Sequence, residues 1–116
     1  MANTYQCSDG EKITQAQIKT RLSQAYAQGP RNAVCECCGQ AQAVDHDHTI
    51  AQRTCKELGK SELIYDPANW VHSCRKCHNE WEQHNAHHHL NYSQRMAYMQ
   101  MHAPEIWNRK TALKDA

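Results

Sequence analysis

Apolar residues are spaced at helical period near both ends of this chain, and the middle is broken into short runs separated by turn signals. Ile18, Leu22 and Tyr26 recur at i, i+4 and i+8 behind Thr14, a good N-cap, and Gly29-Pro30 stops the run. This predicts an amphipathic helix whose polar face, with Lys19 and Arg21, is solvated. Before it, Ser8-Asp9-Gly10 is a turn signal between two short segments, strand or loop. Residues 41–46 and 69–73 read as two short strands, joined by a long connection over 49–68 that is punctuated by Gly59 and Asp66-Pro67 and carries a turn of helix near 52–58. A helix is expected over 75–85. Tyr92, Met96 and Met99 then mark a core-facing helix that runs to His102, and Pro104 opens a short final helix carrying Ile106, Trp107, Ala112 and Leu113. These elements make a small α+β chain, read as a single domain over 1–116.

Size and composition narrow the picture. A chain of 116 residues has room for one compact domain, and domains this small bury too little surface to be strongly stable unaided. A structural metal would supply the missing stability. There are seven cysteines, four of them in two Cys-x-x-Cys pairs, Cys35/Cys38 and Cys74/Cys77. Disulfides are the secreted alternative, but no charged-then-apolar leader opens the sequence, so a reducing intracellular compartment is expected. No apolar run approaches membrane-spanning length. With 13 Lys+Arg against 12 Asp+Glu the formal net charge is +1, so charge balance alone does not announce a nucleic-acid binder.

The chemistry concentrates in residues 35–82. Two thiolate pairs on tight turns form the ligand set of a closed structural zinc site: Cys35, Cys38, Cys74 and Cys77, with Gly39 relieving crowding after the first pair. Cys37 offers a competing register, and Cys7 and Cys55 read as packing residues. A redox dithiol is the rival, and it would not explain two pairs. If zinc takes four thiolates, Asp45, His46, Asp47, His48 and His78 remain for other work. On a regular strand, His46 and His48 share one face and Asp45 and Asp47 the other. Carboxylate and imidazole donors with an open position suit a hard ion such as Mg2+ or Mn2+, and a free histidine nearby can act as a general base near neutral pH. The bland alternative is a solvated polar turn. Arg53, Lys56 and Lys60 make the connection the most basic loop, and with Arg75 and Lys76 they are the candidate DNA contacts. The histidines in 86–91 read as a polar loop, with incidental metal binding as the lesser alternative.

Asp-His, then Asn69, then Cys74-Arg-Lys-Cys77-His78-Asn79 resembles the HNH (ββα-metal, His-Me finger) endonucleases, of phage type. The Asp-His-Asp-His run between cysteine pairs resembles the endonuclease VII branch in particular. The similarity covers about residues 35–82, with weaker likeness in Asp47-His48-Thr49-Ile50 and in the Asn91-Tyr92 to Tyr98 tail. It implies a zinc-stabilised HNH nuclease core at 35–85, flanked by helical extensions at 1–34 and 86–116. It also implies a nuclease cutting double-stranded DNA to 5′-phosphate and 3′-hydroxyl ends, as a nickase or, as a homodimer, through both strands. In it a strand histidine activates water, Asn69 orients that water, and an Asp with His78 holds Mg2+ or Mn2+. Two registers stand: Asp45 as ligand with His46 as base, which is preferred, or Asp47 with His48. The resemblance places the protein in the cytoplasm of a bacterial host. His78 stands where the endonuclease VII branch has Asn, a departure toward the general HNH pattern. The alternative function is a non-catalytic zinc module that binds nucleic acid or protein.

Overall fold

The computed structural model describes residues 3–28 and 34–106; the helix stop at Gly29-Pro30 and the apolar positions Trp107, Ala112 and Leu113 lie outside the described residues. The N-terminal extension, expected to be helical, opens with a hairpin. β1 (Thr4–Gln6) pairs antiparallel with β2 (Lys12–Thr14), Tyr5 opposite Ile13, across a turn in which Gly10 takes a φ of 93°. Only glycine adopts that backbone without strain. α1 (Gln15–Gln28) follows directly. Its start is a reciprocal capping box: the Gln17 N–H donates to Thr14 Oγ1 at 3.2 Å and the Thr14 N–H to Gln17 Oε1 at 2.8 Å.

The second sheet pairs β3 (Asp45–His48) with β4 (Trp70–Ser73), Asp45 opposite Ser73 and His48 opposite Trp70. The strand expected at 41–46 therefore starts later. Residues 34–42 close on themselves instead, with the Cys35 N–H donating to the Ala41 carbonyl at 2.8 Å and Val34 bridging Gln42. Asn69 ends a short 3-10 turn (Pro67–Asn69) rather than opening β4. α3 (Arg75–Glu82) lies against β3 and stops short of residue 85, because His84 turns into the left-handed region at φ 59°. The connection folds into α2 (Gln52–Glu57) and a 3-10 segment, Ser61–Tyr65, and α4 (Tyr92–His102) packs back on it.

One apolar cluster joins these parts. It draws Ile13 and Ile18 from the N-terminal segment, Ile50, Leu63 and Ile64 from the connection, Trp81 from α3 and Met99 from α4. The flanking segments share that core, and Cys7 and Cys55 are packed within it. A separate buried cluster consists of Cys35, Cys37, Cys74 and Cys77 with no aliphatic side chain fully inside it. Thiols alone make a poor core, and a metal ion held by them would add the stability that a small domain lacks. Among the described residues no helix is long and apolar enough to cross a membrane.

Candidate functional site

Four cysteines gather at the N-terminal end of α3. The ligand atoms of Cys35, Cys38, Cys74 and Cys77 all lie within 4.8 Å of one another, a donor set that could hold a zinc ion. The first pair sits on a knuckle whose backbone N–H groups face the sulfurs: those of Cys37 and Cys38 donate to Cys35 Sγ at 3.3 and 3.4 Å, and that of Ala41 to Cys38 Sγ at 3.5 Å. Gly39 makes the knuckle possible, with φ 70°, a backbone that side-chain-bearing residues rarely adopt. Burial opposes ionisation of Cys35, yet the N–H donors of Cys74, Cys38 and Cys37 bring its pKa down to about 6. Burial, then the neighbouring sulfurs of Cys74 and Cys35, push the Cys77 thiol up. Cys74 stands at the N-cap position of α3 and Cys77 in its first turn. Cys37 is fully buried beside the four and is not one of that set.

Both carboxylates of β3 turn toward His78, on α3. His78 Nδ1 lies 3.0 Å from Asp45 Oδ2, while its Nε2 lies 3.0 Å from Glu82 Oε1 and 3.7 Å from Asp47 Oδ1. Asp45 and Asp47 thus address opposite nitrogens of one ring. For that reason Asp45, Asp47 and His78 do not converge on one point as the four sulfurs do. Arg75 clasps Asp45 with two hydrogen bonds, Nε at 2.7 Å and its terminal nitrogen at 3.0 Å. Arg75 first, then His78, hold the Asp45 carboxyl below the usual carboxylate range. Burial lowers the pKa of His78, but the hydrogen bond to Asp45 and the charges of Asp47 and Glu82 outweigh it and leave it raised.

The two strand histidines part company. The His46 ring stacks on Tyr26 of α1 at 3.8 Å and meets Trp70 and His72 edge-on, at 5.0 and 4.6 Å. Burial, then the His72 charge, lowers its pKa. His48 Nε2 lies 2.9 Å from the Ile64 carbonyl, a contact that fixes the proton on Nε2 and leaves Nδ1 as an acceptor. Burial is the main cause of its lowered pKa and keeps the ring neutral near pH 7. Asp47, His48, His78 and Glu82 line one cavity of about 630 Å³, walled by Trp81 and Met99. His46 borders it too, but also lines a smaller hollow of about 440 Å³ against α1 with Asp45.

Asn69, expected to orient water, is engaged with the backbone in this structure. Its side chain is fully buried and spent on backbone: Oδ1 accepts from the Ile50 N–H at 2.8 Å, and Nδ2 donates to the Ile50 and Leu63 carbonyls at 3.1 and 3.0 Å. It staples the two ends of the connection together. The connection's lysines are likewise committed inside the fold. Lys56 reaches Gln15 at 2.7 Å and covers the Tyr5 ring, and Lys60 bonds the His102 carbonyl. Arg53 is exposed and pairs with Glu57, and Lys76 lies exposed beside Arg75 at the start of α3.

Two residues of the cluster carried no functional expectation. Glu82 stands one turn after His78, an i,i+4 spacing that could have singled it out. Arg95, on α4, is buried to 1%; it binds Asp47 Oδ2 at 3.1 Å, Thr49 at 2.9 Å and the Asp47 carbonyl at 3.2 Å, and lies 3.9 Å over the Trp81 ring. An arginine spaced one residue short of an apolar stripe gives no local sign of that role. Comparison of the chain with protein-family models, with curated proteins and with solved structures returns no match.

Proposed function

We propose that this chain is a metal-dependent DNA endonuclease of the HNH type, with β3, β4 and α3 as its ββα-metal core. The observation that carries the reading is the meeting of Asp47, His48 and His78 in one cavity, with a separate four-cysteine cluster at the start of the same helix α3. The register that fits this cavity is Asp47 with His48, in place of the preferred Asp45 with His46. His48 is the general base: its Nε2–H is held by Ile64, and Nδ1 takes the proton from a water. The water oxygen attacks phosphorus, the bond to O3′ breaks, and 5′-phosphate and 3′-hydroxyl ends result. Asp47 and His78 Nε2, with Glu82 alongside, would hold Mg2+ or Mn2+; such an ion, when bound, stabilises charge on the phosphate and on the leaving oxygen. Asp45 accepts from His78 Nδ1 and so aims Nε2 at the cavity, the part a carboxylate commonly plays behind a metal-binding histidine. Arg95 holds Asp47 from behind. Asn69 keeps the Leu63–Ile64 backbone in place, and through it the base. Zinc on the four cysteines fastens the knuckle, β4 and α3 together, and Arg75 and Lys76 give the helix start a basic edge for the DNA backbone.

Plasmid cleavage with Mg2+ or Mn2+ tests this. Wild type and His46→Ala cut, while His48→Ala and His78→Ala lose cleavage; full activity in the last two would overturn the reading. A second reading, a non-catalytic zinc module, rests on the polar cluster being satisfied internally, with Asp47 paired to Arg95 and His78 to Asp45 and Glu82. It predicts DNA binding by wild type without cutting.

A further inference from the structure

Glu80 and the histidines of the 86–91 loop take no part in the chemistry above. Glu80 lies three residues after Cys77 on α3. One of its oxygens is 3.0 Å from His89 Nε2 and the other 3.4 Å from His88 Nε2. Cys77, Glu80 and His89 each present a ligand atom, and the three lie within 4.8 Å of one another. Zinc ligands bonded at about 2.0–2.3 Å stand roughly 3.3–3.8 Å apart, so small rotamer adjustments bring such a set onto one ion. The His89 side chain is 1% exposed, and its Nδ1 has no hydrogen-bond partner among the described residues. The Glu80 contact is made by the other ring nitrogen, Nε2, which is the donor that faces the set. The loop is held against the knuckle by the Leu90 N–H, which donates to the Cys37 carbonyl at 2.8 Å, and is turned on itself by the His89 N–H donating to the Ala86 carbonyl at 2.9 Å.

We propose that Cys77, Glu80 and His89, with His88 closing the set, form a second site for a borderline-soft divalent ion such as Zn2+, sharing the Cys77 thiolate with the tetrathiolate site. A thiolate sulfur has lone pairs for two metals, and imidazole with carboxylate is a donor mix that zinc accepts. The second ion would clamp the 86–91 loop onto α3, tying the chain leading into α4 to the cysteine cluster. This site is separate from the cavity holding His48 and His78 and does not depend on nuclease activity.

The test is zinc content per chain by elemental analysis, after loading with Zn2+ and gel filtration, read as the difference between wild type and variant so that zinc held in the Asp47/His78 cavity cancels. Wild type is expected to retain one more zinc than Glu80→Gln or His89→Ala. Glu80→Gln keeps the side chain's size and guards against a folding defect in His89→Ala. In parallel, the Co2+-substituted variants are expected to keep the thiolate-to-metal absorption of the four-cysteine site. Equal zinc in wild type and Glu80→Gln overturns the proposal. So does loss of the four-cysteine signature in Glu80→Gln, which would make Glu80 a support for the first ion alone.

Discussion

His46 and His48 differ by two residues on one strand, yet one ring is spent on packing and the other is held as an acceptor. His48→Ala is therefore expected to lower plasmid cleavage by roughly 10²–10⁴-fold, the usual worth of a positioned base. His46→Ala, which removes a stack on Tyr26, should cost less than tenfold and show instead as a lower thermal midpoint, since an aromatic pair adds about 0.5–1.5 kcal/mol beyond its burial. The pH profile has a definite sign. Under the proposed endonuclease function the base works when neutral, and burial puts its pKa below the ordinary 6.5, so cleavage is expected to fall as pH drops through a value under 6.5 and to level off above it. An acid limb above pH 7 would count against His48. Arg95 and Asp47 are each 1% exposed, so removing one partner strands the other's charge. Arg95→Met is expected to destabilise by about 3–5 kcal/mol in urea denaturation, with Asp47→Asn rescuing part of that loss.

The connection between β3 and β4 is an element whose shape rests on a single amide. Asn69→Ala leaves the Ile50 N–H without its acceptor in a buried place, at about 1–3 kcal/mol, while the Leu63 carbonyl keeps the Asp66 N–H and the Ile50 carbonyl the Cys55 thiol. Amide exchange at Ile50 should speed up first, and cleavage should fall while DNA affinity holds. Parallel loss of affinity would mean that the connection itself binds DNA. Most elements were legible in the chain: Thr14 with Ile18, Leu22 and Tyr26 marked α1, and Tyr92, Met96 and Met99 marked α4, because helical spacing is a local property. The start of β3 was not. Whether residues 41–44 join the strand or close the knuckle depends on Cys35 bonding Ala41, a contact made only when the cysteine turn is folded.

At the scale of the whole molecule there are two cores, one apolar and shared by both ends of the chain, one made of thiols. Apparent zinc-binding free energies in small zinc-finger peptides are roughly 10–16 kcal/mol, as large as the whole stability of an ordinary domain. Stripping the metal with a strong chelator, or Cys74→Ser, is thus expected to abolish ordered pairing of β3 with β4. Trp70, buried in β4, reports it by a red-shifted emission, and near-unchanged emission after chelation would show that the thiol core folds without an ion.

The sequence by itself determined the four-cysteine set, the α+β order of elements and the residue types gathered around them. Cys-x-x-Cys spacing and helical periods are written in neighbouring residues, where covalent geometry limits the outcomes. Tertiary structure alone decided which Asp-His pair faces the larger cavity, why Asn69 is a staple, and that a buried Arg95 stands behind Asp47. Those facts depend on where α1, the connection and α4 come to rest against β3, and packing between segments far apart in sequence leaves no spacing rule along the chain.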